Sequence, residues 1–72
     1  MVYCTDVKTT AQLLNLSIWA IYQRIRRNQI QFISFHGGYL IPLAEIAREL
    51  KKSEKNLLRR MRQKGLPVWG CD

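Results

Sequence analysis

One pattern occurs twice in this chain, 36 residues apart, and that recurrence limits the possible folds more than any other feature of the sequence. Shifting the chain by 36 positions aligns Tyr3 with Tyr39, Ala11 with Ala47, Leu14 with Leu50, Ser17 with Ser53, Arg24 with Arg60 and Arg26 with Arg62. Six identities in 36 pairs exceed the roughly two expected from ordinary composition. Apolar pairs keep the same register, Ile21 with Leu57, Ile25 with Met61, Ile30 with Leu66 and Phe32 with Val68. A shared amphipathic rhythm does not align caps, core positions and arginines together, so the pattern points to a duplicated helical unit. Leu13 against Glu49 and Leu16 against Lys52 break the match, and the second copy ends before a hairpin could follow it.

In the first copy, Thr9 and Thr10 are candidate caps for a short helix whose apolar positions are Ala11, Leu13, Leu14 and Leu16. Asn15, Leu16 and Ser17 make a turn, and the Ser17 hydroxyl suits the N-cap of a second helix from Ile18 to about Arg27. There Ile21 and Ile25, four apart, face the first helix and leave Trp19, Ala20, Gln23, Arg24 and Arg27 on the other faces. Two short helices around a three-residue turn are a helix-turn-helix signature. Ile30 to Phe35 then alternates apolar and polar residues, and His36, Gly37 and Gly38 form a turn in which the glycines can take positive φ. Tyr39, Leu40 and Ile41 return as a second strand. A hairpin directly after such a helix is a wing. Residues 1 to 6 read as either a short strand or an ordered arm.

In the second copy, Pro42 ends the strand and suits a first helical turn, after which Leu43, Ile46, Ala47 and Leu50 recur at helical spacing. Ser53 with Glu54 restarts the chain as a fresh cap, Leu57, Leu58 and Met61 supply an apolar stripe, and Gly65 stops the helix. Leu66 to Trp69 leave in extended form. The expected fold is mostly α with a small β-hairpin wing, a winged and possibly tandem helix-turn-helix. It forms one domain over residues 1–72, with unit one at 7–41 and unit two at 43–70.

A chain of 72 residues has one modest core, since this length buries only roughly 60% of the surface exposed when unfolded. Its hydrophobic share of 47% argues against disorder, so the excess of 12 Lys and Arg over 5 Asp and Glu, a net +7, belongs to the surface. The usual explanation is an anionic partner, and nucleic acid is the commonest. Residues 51 to 64 hold seven basic side chains against Glu54 alone. Lys52, Lys55, Asn56, Arg59, Arg60, Arg62 and Lys64 there are read as phosphate contacts more than as base readers. Arg24, Arg26 and Arg27 lack the interspersed acids of a merely solubilising face, and arginine reads guanine edges bidentately. For Trp19 two readings stand, packed against the domain or lying at the DNA surface. Tyr39 and Trp69 read as core or interface residues, His36 as a polar tip residue.

Cys4 and Cys71 fit no metal-ligand spacing, and one histidine leaves zinc too few ligands. A disulfide between the chain ends is geometrically possible, but free thiols are the expectation for a cytoplasmic protein. No stretch approaches the length of a membrane span, and the N-terminus lacks signal-peptide character. A cytoplasmic place is expected. There is no catalytic constellation and no glycine-rich phosphate loop, so neither an enzyme nor a cofactor is expected.

Taken in order, Thr10-Ala11 with Leu13-Leu14, Ser17, Ile21-Tyr22, Ile25-Arg26, Ile30, Gly37-Gly38-Tyr39, Ile41-Pro42 and Glu45-Ile46 resemble the excisionase and MerR-type winged helix-turn-helix group. The resemblance covers residues 7 to about 50. It implies that the second helix enters the major groove with Trp19, Ala20, Gln23, Arg24 and Arg27, that His36 to Tyr39 form the wing tip, and that the DNA is often bent. The implied function is that of an excisionase-like architectural factor or small transcriptional regulator of a phage or mobile element. Its partners would be double-stranded DNA and a recombinase or a second copy, and its place the nucleoid of a bacterial host cell. One departure is that no Lys or Arg lies between Asn28 and Leu43, where the family's wings commonly carry an arginine; the second basic helix can supply that charge. The DNA-recognition domain of a phage terminase small subunit looks similar. From another class, residues 51 to 64 can be read as a basic amphipathic helix docking on an acidic partner or an anionic membrane.

Overall fold

Eight elements follow one another in two β-α-α-β units: β1 (Tyr3–Asp6), α1 (Val7–Leu14), α2 (Ile18–Arg26) and β2 (Ile33–Phe35), then β3 (Gly38–Pro42), α3 (Leu43–Leu50), α4 (Glu54–Gln63) and β4 (Trp69–Gly70). The computed structural model describes residues 2–71. α3 repeats both boundaries of α1, and α4 and β4 start where α2 and β2 do, each at the offset of 36 seen in the sequence.

Local chemistry sets these boundaries. The Ser17 hydroxyl accepts a hydrogen bond from the Ala20 N–H, and Ser53 accepts one from Asn56, both at 3.1 Å. Each satisfies one of the unpaired donors that open a helix. Asn15 and Lys51 end α1 and α3 in the left-handed conformation, both at φ 57°, a tight exit that turns each helix pair. The threonine caps expected for α1 give way to Asp6, whose carboxylate accepts from the Thr9 N–H at 2.7 Å. The helix therefore opens at Val7, with Thr9 and Thr10 buried inside it. Asp is among the best N-caps, and it starts the helix before the apolar run does.

The sheet corrects the expectation of a mostly helical protein with a small hairpin. All four strands form one antiparallel sheet in the order β2-β3-β1-β4, making a mixed α/β molecule. Of residues 1 to 6, read as strand or arm, Tyr3–Asp6 form a central strand, and Met1 lies outside the described residues. β4 pairs with β1 (Tyr3 opposite Gly70, Cys4 opposite Trp69) in the register that β2 has with β3 (Tyr39 opposite Ser34, Leu40 opposite Ile33). The hairpin missing from the second copy is thus completed by the first strand of the chain. At the centre, Thr5 lies opposite Ile41, flanked by Cys4 opposite Pro42 and Asp6 opposite Leu40. Exchanging the two units leaves every one of these pairings unchanged, so a local two-fold axis passes between β1 and β3, perpendicular to the sheet.

The β2–β3 turn places His36 and Gly37 at φ 42° and 80°, the two positive values that a two-residue hairpin matched to strand twist requires. Gly38, expected to share this role with Gly37, belongs to the strand instead, and His36 takes the strained position.

Alternation along the strands puts Tyr3, Thr5, Tyr39 and Ile41 on one face. There α1 and α3 pack on the central strands and on each other. Val7, Ala11, Ile21, Ile25, Ile30, Ile41, Leu43, Ile46, Leu57 and Met61 form one core, drawn from both units. The opposite face carries Cys4, Leu40, Ile33, Phe35 and Trp69, with Phe35 58% and Trp69 46% exposed. Cys4 and Cys71 also meet there as a disulfide, their Cα atoms 6.3 Å apart, which overturns the free-thiol expectation. The β4–β1 pairing sets them diagonally across neighbouring strands, close enough to join.

Candidate nucleic-acid interface

Each of the 12 basic residues lies in a helix or within two residues of a helix end; none lies in a strand. The positive charge is therefore confined to the helical side of the molecule, while the outer sheet face is apolar.

α2 turns Ile21 and Ile25 into the core, and its 3.6-residue period then sends Trp19, Tyr22, Arg26 and Arg27 outward. Trp19 is 70% exposed, so of its two readings the packed one does not hold. Ser17, at the cap, is exposed, and Ala20, Gln23 and Arg24 are half-buried. One flank of α2 is fixed to the hairpin through rings: Tyr22 meets Tyr39 edge-on at 6.0 Å between centroids, and Tyr39 meets Phe32 at 5.3 Å. The other flank is fixed by Arg24, whose guanidinium donates to the Glu49 carboxylate on α3. Arg24 is thus engaged within the chain. The failed offset match at Leu13 against Glu49 marks the same place in the sequence.

At the hairpin tip His36 and Gly37 are exposed, with the His36 ring 4.5 Å from that of Phe35. Beneath the hairpin approach, the Glu45 carboxylate accepts from the Gln31 N–H at 3.0 Å and pairs with Arg48 at 2.9 Å. The contacts of Glu49 with Arg24 and of Glu45 with Gln31 join residues 25 and 14 apart in the chain, beyond the reach of a short window of sequence, whereas the Glu45–Arg48 pair is local to α3.

α4 is the more open helix. Leu57 and Met61 are buried, while Lys52, Lys55, Asn56, Arg59, Arg60, Arg62 and Lys64 are all exposed. Arg62 lies over the Tyr3 ring at 5.5 Å, a cation–π contact that leaves its charge uncompensated. Arg60 occupies the place equivalent to Arg24, but Leu13 stands where Glu49 would be. Among the described residues no acidic partner reaches Lys55, Arg59 or Arg60.

The expected site residues therefore fall into two groups, one on α2 with the hairpin tip and one on α4. The two helices do not approach each other; α1 and α3 lie between them. Among the described residues no cluster of three or more His, Cys, Asp or Glu can hold a metal ion, and no helix is long and apolar enough to cross a membrane. Comparison with protein-family models, curated proteins and solved structures gives no match.

Proposed function

We propose that this chain is a sequence-specific double-stranded-DNA-binding protein of the excisionase-like winged helix-turn-helix kind. In this reading it serves a phage or mobile element as an architectural factor or small transcriptional regulator. The observation that carries the reading is the confinement of the basic residues to the helical side, with α4 presenting Lys55, Arg59 and Arg60 to solvent without an acidic partner among the described residues. Such side chains neutralise phosphates and release counterions, which gives affinity without sequence preference. Preference then comes from shorter polar groups that reach base edges, and Gln23 and Asn56 carry the amides that pair bidentately with adenine. The α2–turn–α1 pair with its ring-locked hairpin supplies the helix and wing of the motif.

Docking of residues 51 to 64 on a membrane fits less well. An interfacial helix needs a free apolar face, whereas the apolar face of α4 is taken up by the core through Leu57 and Met61.

Selection of bound duplexes from a random pool tests the proposal. The expected result is enrichment of a defined sequence bound at least about 1,000-fold more tightly than scrambled DNA. Equal affinity for all duplexes, or none, would overturn it.

A further inference from the structure

We infer that one copy of the chain grips a single duplex through α2 and α4 together, at an inverted repeat whose halves differ, with the duplex curved toward the protein. This rests on the DNA-binding reading above and specifies its target.

Three observations lead there. The pairing registers place a local two-fold axis between Thr5 and Ile41, perpendicular to the sheet. That axis relates α2 to α4 and sets them at equal height on either side of α1 and α3. B-DNA has two-fold axes perpendicular to its length, and a protein two-fold laid on one of them reads an inverted repeat. The confinement of basic residues to the helical side means that an anionic duplex approaches along this axis, not from the apolar sheet face.

Size then limits the geometry. The longest extent of the Cα trace is 29 Å, so α2 and α4 are closer than that. Successive major grooves on one side of straight B-DNA are about 34–36 Å apart. Two helices held closer together fit adjacent grooves only on the inside of a bend, where groove spacing shortens.

Chemistry makes the halves unlike. At equivalent positions the two helices present Trp19 and Lys55, Ala20 and Asn56, Gln23 and Arg59. The base-reading amides sit at different positions, Gln23 in the first helix and Asn56 about one turn earlier in the second, so the two halves ask for adenine at different places.

The test uses the full chain and the duplex enriched by selection. The expected consensus has two different half-sites in inverted orientation, bound by one protein per duplex in native mass spectrometry. Fluorophores on the two DNA ends should approach on binding. Inserting about five base pairs between the halves, half a helical turn, should weaken binding on the order of 100-fold, and about ten should not restore it, because the protein cannot stretch to the wider spacing. Gln23→Ala should relax preference in one half only and Asn56→Ala in the other. A single half-site, a direct repeat, two proteins per duplex or rescue by the ten-base-pair insertion would overturn the inference while leaving sequence-specific binding intact. An unchanged end-to-end distance would overturn the curvature. Failure to enrich any sequence would instead remove the DNA-binding reading beneath it.

Discussion

Replacing Lys55 and Arg59 together by alanine separates an electrostatic grip from other kinds of contact. Both side chains are exposed on α4 and have no acidic partner among the described residues. Alanine preserves the helix, and the buried stripe of Leu57 and Met61 is untouched. Each phosphate contact adds about 0.9 to the slope of log affinity against log salt, so the double variant should lower that slope by about 1.8. The cost must then depend on salt. Relative to the parent, affinity falls about 60-fold at 0.1 M and about 20-fold at 0.2 M, and the two lines converge near 1 M. Fluorescence anisotropy with a labelled duplex at several sodium chloride concentrations reads this directly, and the loss should be the same on selected and scrambled DNA. Circular dichroism of the variant checks that α4 is intact. A loss of equal size at every salt concentration, or an unchanged slope, would show that these residues do not neutralise phosphates and would remove the role given to α4.

Glu49→Gln releases Arg24 from its ion pair and should tighten DNA binding about 8-fold at 0.1 M salt, with a slope steeper by about 0.9. Unchanged binding would mean that the pair does not restrain Arg24. Ser53→Ala removes the hydroxyl that accepts from Asn56 and should cost about 1 kcal/mol, seen as a melting temperature lower by roughly 4–8 °C; no shift would mean that water replaces the cap at no cost. Reduction of the Cys4–Cys71 bond, whose cysteines are 67 residues apart in sequence, should cost about 4 kcal/mol in urea titration on the chain-entropy account. A difference below about 1 kcal/mol would show that the unfolded chain gains little freedom.

Those elements whose cause lies within a few residues were legible in the sequence. Ser17 and Ser53 announce α2 and α4, and Ile21, Ile25, Leu57 and Met61 fall where a helical period sends them inward. The β2–β3 hairpin was legible from its turn residues. The cap of α1 is legible in the aspartate three residues before Thr9, which outcompetes the threonines nearest the apolar run. The rest was not local. Tyr3–Asp6 becomes a strand because β3 and β4 lie on either side of it, partners at least 34 residues away, and no short window of sequence contains that information. The Arg24–Glu49 pair and the cysteine pair depend on the same long-range closure. On α4 the exposure of Lys55, Arg59 and Arg60 follows from the helical period, while the engagement of Arg24 with Glu49 does not.

The closure of the sheet also decides how the two units can work together. β1 belongs to the first unit yet pairs with β4 of the second, and the core draws Ile21 and Ile25 from one unit and Leu57 and Met61 from the other. Neither unit can be detached without exposing strand edges and apolar side chains, so they are not modules on a linker. A flexible linker lets two binding modules adapt to a range of spacings, with an effective concentration that depends on its length. Here the separation of α2 and α4 is set by strand pairing at Thr5 and Ile41 and by α1 packed on α3. The units retain the residues that hold this frame and differ where they meet solvent, Trp19 against Lys55 and Gln23 against Arg59. A rigid frame with two unlike faces fixes both the spacing and the order of what it binds, and any mismatch in spacing must be taken up by the DNA.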